Sequence, residues 1–378
     1  MSKELVRLGY QVTILALHHN LPSIVVRRSV QDGVDVWYVS QMHVRKIGHH
    51  KRYFSHSQLL WVSALATWRL MAGAFRIPAD IYHLCKPHPM NGLAIMLPRA
   101  LGGRPVYLDC DDYEAATGRF AGQWQKRVVT CFEDRLPRMA AGVTVNTRFT
   151  FERLVGLGYP ADRIAYVPNG VDRDRFSSVD QHSVYSLCSQ LGLVDRKIVL
   201  YVGSMSLASH AVDLLLHSFA IVRRTRPQTT LLLVGGGEDY GLLQSRAESL
   251  GLGESVRFVG RVPPDVVPIY YRLAEVTVDP VYDDPGARAR FPLKLVESLA
   301  SGIPVVTGHV GDRPMLLSRG GGLLVRPGDA AALAEGILAI LGDDSLRTSL
   351  SEQALQVREQ YYWDRLVQDW VQVYECHP

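Results

Sequence analysis

The 378-residue sequence has few cysteines, little net charge and no long uninterrupted apolar run. Its five cysteines lie far apart with no C-x-x-C pair, which favours reduced thiols in a cytoplasmic protein over a disulfide framework or a zinc site. The formal charge of +4 permits a local basic patch but gives no support for a general nucleic-acid binder. The longest apolar stretch, 59–75, is broken by Arg69. We therefore predict a buried or interfacial helix there, and not a membrane span.

Short β-branched runs alternate with helical patterns along the chain, which is typical of βαβ units and parallel sheets. The length suits two domains, which we place at 1–167 and 168–358, followed by a last helix over 359–378. Two Rossmann-like α/β domains, with parallel sheets facing across a cleft, would bind ligands beyond the carboxyl ends of their strands. The predicted strands are 11–17, 34–39, 81–84, 106–109, 143–146, 164–167, 198–202, 230–234, 256–259, 276–278 and 304–307.

The chain opens on a pattern typical of the end of a helix. Leu5 and Leu8 are apolar among polar neighbours, and Gly9 stops the segment. Because a doubly wound domain usually opens with a strand and a Gly-rich loop, we expect the first strand of the N-terminal domain to be missing. A start codon placed too far downstream is the explanation we favour over a degenerate copy.

A short helix with both end signals is predicted between Pro292 and Gly302. Pro292 suits the first helical position, and Gly302 follows the last turn. The free N–H groups and the dipole of such a helix suit a pyrophosphate, and Lys294 adds a full positive charge. Glu297 could accept both hydroxyls of a ribose. A surface Lys–Glu pair on an ordinary amphipathic helix is the alternative, although a lysine at a helix N-terminus calls for an anionic partner.

This helix carries P-x-K-x-x-E-x-x-A-x-G-x-P-V-V and so resembles glycosyltransferase family 4. Five further segments resemble the family's motifs in the same order, and the resemblance covers most of the chain. It implies the two-domain GT-B fold, which usually needs no metal. It also implies retaining transfer of a sugar from a nucleotide-diphosphate sugar to a saccharide or lipid-linked acceptor, in surface polysaccharide or glycolipid assembly. The five segments are 141–149, Val167-Pro168-Asn169-Gly170-Val171-Asp172 with the preceding Tyr166, 232–238, 256–260, and the closing helix 362–368.

The resemblance implies a set of donor contacts in the second domain. Two departures from the family pattern matter: Ala289 stands where an acidic residue is common, and Ser204 replaces an arginine. Phosphate neutralisation is therefore expected to rest on Lys294 and Arg290, with His210 as a weaker helper or as a plain loop residue. The predicted donor contacts are Lys294, Glu297, Arg290, Pro292, Leu293, Gly203, Ser204, His210, Gly235, Gly236, Phe258 and Val259.

Polar residues also follow two strands of the first domain. Asp111 and Asp112 stand where many family members carry His-Asp, and either could take the acceptor proton because close carboxylates raise one another's pKa. Helix capping by one of them is the alternative. A metal site at Asp109-x-Asp111 is rejected, because the other motifs indicate GT-B. Lys86 and His88 could contact the acceptor or a donor phosphate, although a loop histidine is more often merely solvated.

A basic segment with four histidines, 43–56, precedes a helix that carries Trp61 and Trp68. Residues 43–68 could touch anionic lipid or a lipid-linked acceptor at the inner face of a membrane, or form a solvated loop before a core helix. No cofactor beyond the nucleotide sugar is expected. A nucleotide-sugar epimerase of the same fold and an inactive nucleotide-binding scaffold remain as rival functions.

Overall fold

A computed structural model of the chain describes residues 1–47, 50–118, 120 and 122–376. It divides into two compact units, which we call unit 1 and unit 2. Unit 1 comprises Met1–Pro168 and the chain from Leu366 onward, and unit 2 comprises Asn169–Arg365. The sequence placed the corresponding boundaries after residues 167 and 358.

The strands of unit 1 form three sheets within the described ranges. The first has the order β1-β3-β2, the second is the hairpin β4-β5, and the third is a parallel sheet in the order β6-β7-β8-β9. Their bounds are β1 Thr13–His18, β2 Arg28–Gln31, β3 Val34–Gln41, β4 Val44–Ile47, β5 His50–Tyr53, β6 Tyr82–Cys85, β7 Val106–Cys110, β8 Gly142–Val145 and β9 Ile164–Tyr166.

Two features of unit 1 depart from the sequence interpretation. The edge strand β2 pairs antiparallel with β3 in a domain for which parallel strands were predicted. The basic segment considered as a loop forms the antiparallel β4-β5 hairpin, whose connecting residues 48 and 49 lie outside the described ranges. Both were missed because these short strands are polar and lack the apolar runs that mark buried strands.

The helices of unit 1 pack on these sheets. The long α2 and the neighbouring α3 contribute Leu70 and Ala94 to a small core with Val39 of β3. The last helix of the chain begins in unit 2 and ends in unit 1, where Val367 and Val371 pack against Leu5. The helices are α1 Ser2–Arg7, α2 His56–Arg76, α3 Pro89–Gly102, α4 Glu114–Thr117, α5 Gln123–Arg135 and α6 Arg148–Gly156, with 3-10 turns at Leu21–Ser23, Leu136–Met139 and Ala161–Arg163. Within the described ranges, no helix combines the length and apolarity that crossing a bilayer requires.

Unit 2 is built on one six-stranded parallel sheet. Its order is β12-β11-β10-β13-β14-β15, so the winding reverses between β10 and β13. The carboxyl ends of two such strands border the crevice where doubly wound sheets bind ligands. The strands are β10 Lys197–Val202, β11 Thr229–Val234, β12 Val256–Gly260, β13 Val276–Asp279, β14 Val305–Gly308 and β15 Gly322–Val325.

Helices cover both faces of this sheet. Because side chains alternate along a strand, Val199 enters the core on one face and Leu200 the core on the other. Both are fully buried, which fixes the register of β10 between its neighbours. The helices are α7 Arg173–Ser177, α8 Gln181–Gln190, α9 Val212–Thr225, α10 Tyr240–Ser249, α11 Val267–Arg272, α12 Pro285–Ala289, α13 Leu293–Ser301, α14 Arg313–Leu316, α15 Ala330–Gly342, α16 Asp344–Val357 and α17 Trp363–Cys376, with 3-10 turns at Gly253–Ser255, Pro264–Val266 and Arg358–Tyr361.

Candidate functional site

The loops after β10, β11 and β12 are tied together by their backbones. The Gly203 N–H donates to the carbonyl of Val234 at 2.9 Å, and the Gly235 N–H donates to that of Gly260 at 2.8 Å. Gly235 has a φ of 138°, and a Cβ there would lie 1.9 Å from the Gly203 carbonyl oxygen. A residue with a side chain cannot occupy this position without moving the loop. Glycine therefore lets the loops after β10 and β11 approach each other closely at the carboxyl edge of unit 2.

Lys294 meets a buried carboxylate beside this edge. Its Nζ lies 3.1 Å from Oδ1 of Asp279, the last residue of β13, and Arg313 Nε lies 2.7 Å from Oδ2. Burial alone would raise the pKa of Asp279, but the two cations outweigh it and hold that pKa well below its usual range. We call Asp279, Lys294 and Arg313 the Asp279 cluster. The position of Lys294 at a helix N-terminus predicted an anionic partner, and Asp279 is such a partner within the protein.

The helix that carries Lys294 begins one residue later than predicted. Pro292 is its buried N-cap residue, no side chain caps it, and α13 starts at Leu293, which is 41% exposed. Gly302 ends the helix with a φ of 70°, as the sequence indicated. Within the first turn Leu293 is exposed, whereas Leu295 and Val296 are fully buried. The N–H groups of Leu293 and Leu295 donate to the carbonyls of Phe291 and Pro292 at 3.0 and 2.9 Å, so an anion at this terminus would be bound mainly by the Lys294 side chain.

Two further predicted residues lie around Lys294. Arg290 donates to the carbonyl of Ser209, in the loop that also holds His210. Burial, together with the charges of Lys294 and Arg290, lowers the pKa of His210 far below its usual range. His210 is therefore neutral at physiological pH, and it could offer a phosphate a hydrogen bond but no charge.

Glu297, one turn further along α13, is held by two side chains that the sequence did not single out. Tyr271 Oη donates to Oε2 at 2.9 Å, and Arg175 Nη2 lies 3.3 Å from Oε1. Burial raises the pKa of Glu297, although both partners oppose the shift. A carboxylate oxygen accepts more than one hydrogen bond, so these contacts orient Glu297 and leave lone pairs for ribose hydroxyls.

The remaining predicted contacts of unit 2 lie on the same edge. Ser204 is exposed, and its carbonyl accepts a bond from Tyr201 Oη at 2.8 Å. Phe258 and Val259 are half-buried at the end of β12, and the Phe258 carbonyl accepts from Tyr240 Oη at 3.2 Å. The Gly236 carbonyl accepts from the Met205 N–H at 3.3 Å. The structure thus collects the predicted donor contacts at one edge, and their individual roles stay predictions.

A second constellation lies at the carboxyl edge of unit 1. Lys86, just after β6, has a φ of 76° and places its Nζ 2.6 Å from Glu114 Oε1, 2.9 Å from Asp112 Oδ2 and 3.4 Å from Asp111 Oδ1. We call these four residues the Lys86 cluster. Because β6 and β7 are neighbours, the residues that follow them meet at this edge. Three carboxylates surround the ammonium group, so Lys86 is a poor candidate for the donor-phosphate contact that the sequence allowed.

The acidic residues of this edge differ in their proton affinity. Burial raises the pKa of Asp111 to about 6 against the opposing charge of Lys86. Behind it, burial raises the pKa of Asp109 to about 7, and Asp109 Oδ1 accepts from Thr144 Oγ1 at 2.8 Å. Burial also lowers the pKa of His88 to about 4, so the imidazole is neutral. Asp111 is therefore the best placed of the predicted groups to take up a proton near neutral pH.

The helix that follows these aspartates, α4, is capped by another residue. The N-cap residue of α4 is Tyr113, and the N–H groups of Glu114 and Ala115 donate to the Glu133 carboxylate at 2.7 and 3.1 Å. Capping is thus done by Glu133, which the sequence analysis missed. Across the ranges that the structure describes, no group of three or more histidine, cysteine or acidic residues could hold a metal ion.

Models of known protein families match both halves of the chain. The family model described as "Glycosyl transferases group 1" matches residues 189–357, and "Glycosyl transferase 4-like domain" matches residues 1–170. The chain is 29% identical over 224 residues to a D-inositol 3-phosphate glycosyltransferase of Corynebacterium urealyticum. That match spans 57% of this chain and 52% of the relative, so the chain covers about half the length of such a relative.

Solved structures of similar fold extend over nearly the whole chain. Sucrose-phosphate synthase from Thermosynechococcus elongatus has a TM-score of 0.78 at 21% identity, covering 99% of this chain and 91% of its own. HepE of Anabaena in complex with UDP-glucose has a TM-score of 0.67 at 20% identity, covering 82% of this chain and 81% of its own. The predicted GT-B fold is confirmed. With two family models that together match about nine-tenths of it, the chain belongs to the group 1 glycosyl transferases, with a glycosyl transferase 4-like domain in its first half.

Proposed function

We propose that this protein is a retaining glycosyltransferase that moves a sugar from a nucleotide-diphosphate sugar to a hydroxyl acceptor. The observation that carries the proposal is the Asp279 cluster with Glu297 one turn away, beside glycine loops at the point where the sheet order reverses. Such an edge binds nucleotides, and a fixed lysine and glutamate one turn apart on a helix can contact a pyrophosphate and a ribose together.

The charges of unit 2 suit this donor. Lys294 and Arg313 pair with the single carboxylate of Asp279, and Arg290 donates to the Ser209 carbonyl near Lys294, so these four side chains carry a net charge of +2. A nucleotide-diphosphate sugar carries two negative charges, and cleavage of its sugar–phosphate bond adds charge to the leaving diphosphate. Cations held in place before the reaction stabilise that charge without reorganisation, while the sugar gains oxocarbenium character.

Unit 1 would handle the acceptor. As the acceptor oxygen bonds to the anomeric carbon, its hydroxyl must lose a proton, and Asp111 is proposed to receive it, with Asp112 and His88 nearby. No metal or further cofactor is required by these steps. The relatives support sugar transfer in glycolipid or polysaccharide assembly, since one is named for inositol 3-phosphate and another for GDP-mannose and a phosphatidylinositol mannoside.

A membrane-surface role for residues 43–68 belongs to this proposal. On α2, Trp61, Trp68 and Phe75 recur every seven residues, therefore share one face, and are 70%, 62% and 50% exposed. In the hairpin before the helix, Arg45 lies opposite Arg52. Aromatic side chains beside basic ones suit the interface of an anionic bilayer, and a cytoplasmic enzyme could reach a lipid-linked acceptor there.

The test is to incubate the purified protein with UDP-, GDP-, ADP- and dTDP-sugars, with and without a mixture of neutral sugars and polyols. Acceptor-dependent release of one nucleoside diphosphate, with a glycosylated product of retained anomeric configuration, is expected. Release of a free or epimerised sugar without acceptor would identify an epimerase. Binding without turnover would identify a scaffold, and absence of binding by any nucleotide sugar would refute the proposal.

A further inference from the structure

The Lys86 cluster carries more negative than positive charge. Lys86 contributes one positive charge, and Asp111, Asp112 and Glu114 contribute three negative ones, which leaves a net charge of −2 at neutral pH. Their side chains are between 26% and 36% exposed, so a molecule can approach the outer atoms of the cluster, whereas Asp111 Oδ1 is buried within it. A phosphate or carboxylate that approached it would be repelled.

Two arginines of the neighbouring helix α6 contact aromatic rings near this edge. Arg148, two residues beyond Asn146, directs its guanidinium over the Tyr166 ring at 5.4 Å. Arg153 pairs with Asp134 and lies over the Tyr113 ring. Among the residues that the structure describes, Lys86 is the cation that lies within 3.4 Å of all three carboxylates.

Hydrogen-bond acceptors without donors lie at the same edge. Asn146 follows β8 next to Asp111, is 3% exposed, and its Oδ1 is buried with no hydrogen-bond partner among the described residues. Asp111 Oδ1 is likewise buried without a hydrogen bond there, although Lys86 Nζ is 3.4 Å away. Buried polar atoms of folded proteins are normally hydrogen-bonded. Asn146 and Asp111 follow the paired residues Val145 and Cys110, so the unpartnered Asn146 oxygen lies at the strand end that carries the acidic cluster and calls for a ligand that brings a donor.

From these two observations we infer that the carboxyl edge of unit 1 binds a neutral acceptor through its hydroxyl groups and discriminates against one that carries a phosphate or carboxylate next to the reacting hydroxyl. Hydroxyls supply the donors that Asn146 Oδ1 and Asp111 Oδ1 lack, whereas an ionised phosphate supplies acceptors and negative charge. This inference rests on the proposed function, because it names the acceptor class of the same enzyme.

The test uses acceptor probes in matched pairs: myo-inositol with its 3-phosphate, glycerol with glycerol 3-phosphate, and glucose with glucose 6-phosphate. Sugar transfer from the active donor is measured as kcat/KM for each. In each pair that is glycosylated, we expect kcat/KM for the neutral member to be at least tenfold higher than kcat/KM for its phosphorylated partner. A preference for the phosphorylated member would overturn the inference.

A charge variant separates repulsion by the cluster from other effects. Glu114→Gln keeps a hydrogen-bond partner for Lys86 and removes one negative charge. We therefore expect the ratio of kcat/KM for the neutral probe to kcat/KM for the phosphorylated probe to fall at least threefold, because KM for the phosphorylated probe decreases. Asp80→Asn is the matched control, because Asp80 is exposed and precedes β6, at the opposite edge of the sheet. An unchanged ratio in Glu114→Gln, or an equal change in Asp80→Asn, would contradict the inference.

A binding measurement keeps the inference testable if no probe is glycosylated, an outcome that would count against the proposed function alone. Hydrogen exchange of peptides spanning 83–92 and 106–116 is recorded in the presence of myo-inositol or its 3-phosphate at equal concentration and ionic strength. Greater protection by myo-inositol supports the inference. Protection by the phosphate, or by neither probe, refutes it.

Discussion

Removing the buried carboxylate of the Asp279 cluster tests how unit 2 holds its two cations together. In Asp279→Asn, Lys294 and Arg313 lose their shared counter-ion while 12% and 4% of their side chains are exposed. Breaking a buried ion pair by removing one partner costs about 3–5 kcal/mol, because a desolvated charge is left uncompensated. We expect the free energy of unfolding of unit 2 to fall by about that amount at pH 7.

The pH dependence of this loss follows from the lowered pKa of Asp279. A carboxylate whose pKa is depressed in the folded state stabilises the fold above its unfolded pKa of about 3.9, and that stabilisation disappears as the pH falls through the folded pKa. The difference in the free energy of unfolding of unit 2 between the wild type and Asp279→Asn should therefore be constant from pH 8 to pH 5. It should narrow only in stronger acid.

In the assay, unfolding in urea is monitored by hydrogen exchange of peptides from β10 and β11. These peptides report on unit 2 separately from unit 1. The matched control is Asp283→Asn, because Asp283 pairs with Arg288 at 2.7 Å on the exposed surface of the same unit. Exposed pairs contribute little, so this control should be indistinguishable from the wild type. Equal unfolding midpoints for the two variants would refute the reasoning.

Three further predictions concern other sites. Glu297→Gln should weaken nucleoside-diphosphate binding at least tenfold in calorimetry. Glu275→Gln, at the opposite end of β13, is the control and should bind like the wild type. Equal affinities for both variants would show that Glu297 does not contact the donor. Because the pKa of Asp109 is raised from 3.8 to about 7, wild-type unit 1 should lose stability as the pH rises from about 4 to 7. Asp109→Asn should then gain up to about 4 kcal/mol over the wild type in thermal unfolding at pH 8 and almost none at pH 4, and a gain independent of pH would contradict this. Replacing Trp61 and Trp68 by serine should reduce sedimentation with anionic vesicles at least fivefold, and unchanged binding would argue against the membrane contact.

The pattern of apolar residues in the sequence was sufficient to predict most of the β-strands. All eleven predicted strands form, because runs such as 198–202 and 230–234 are buried on both faces and tolerate few other residue types. The strands β2, β4, β5 and β15 were not predicted. The first three are short and polar, and β15 is a four-residue strand that follows a run of glycines, so neither period nor length marks it.

The local part of the candidate site was predictable, and the part that depends on tertiary contacts was not. Lys294, Glu297 and Gly302 belong to one helix, whose spacing and end signals are visible in the sequence. Asp279 could have been noticed as a charged residue at the end of an apolar strand. Arg313 and Arg175 gave no signal, because they reach the site from segments distant in the chain.

We infer that the Asp279 cluster binds a nucleoside diphosphate, and calorimetric titration of UDP and GDP measures this binding. We expect the wild-type protein to bind one of them at a single site and Lys294→Met to bind it at least thirtyfold more weakly. Lys197→Met, which removes a lysine from the opposite end of the same sheet, should bind like the wild type. Wild-type protein that binds neither nucleotide, or Lys294→Met that binds as tightly as the wild type, would contradict the account.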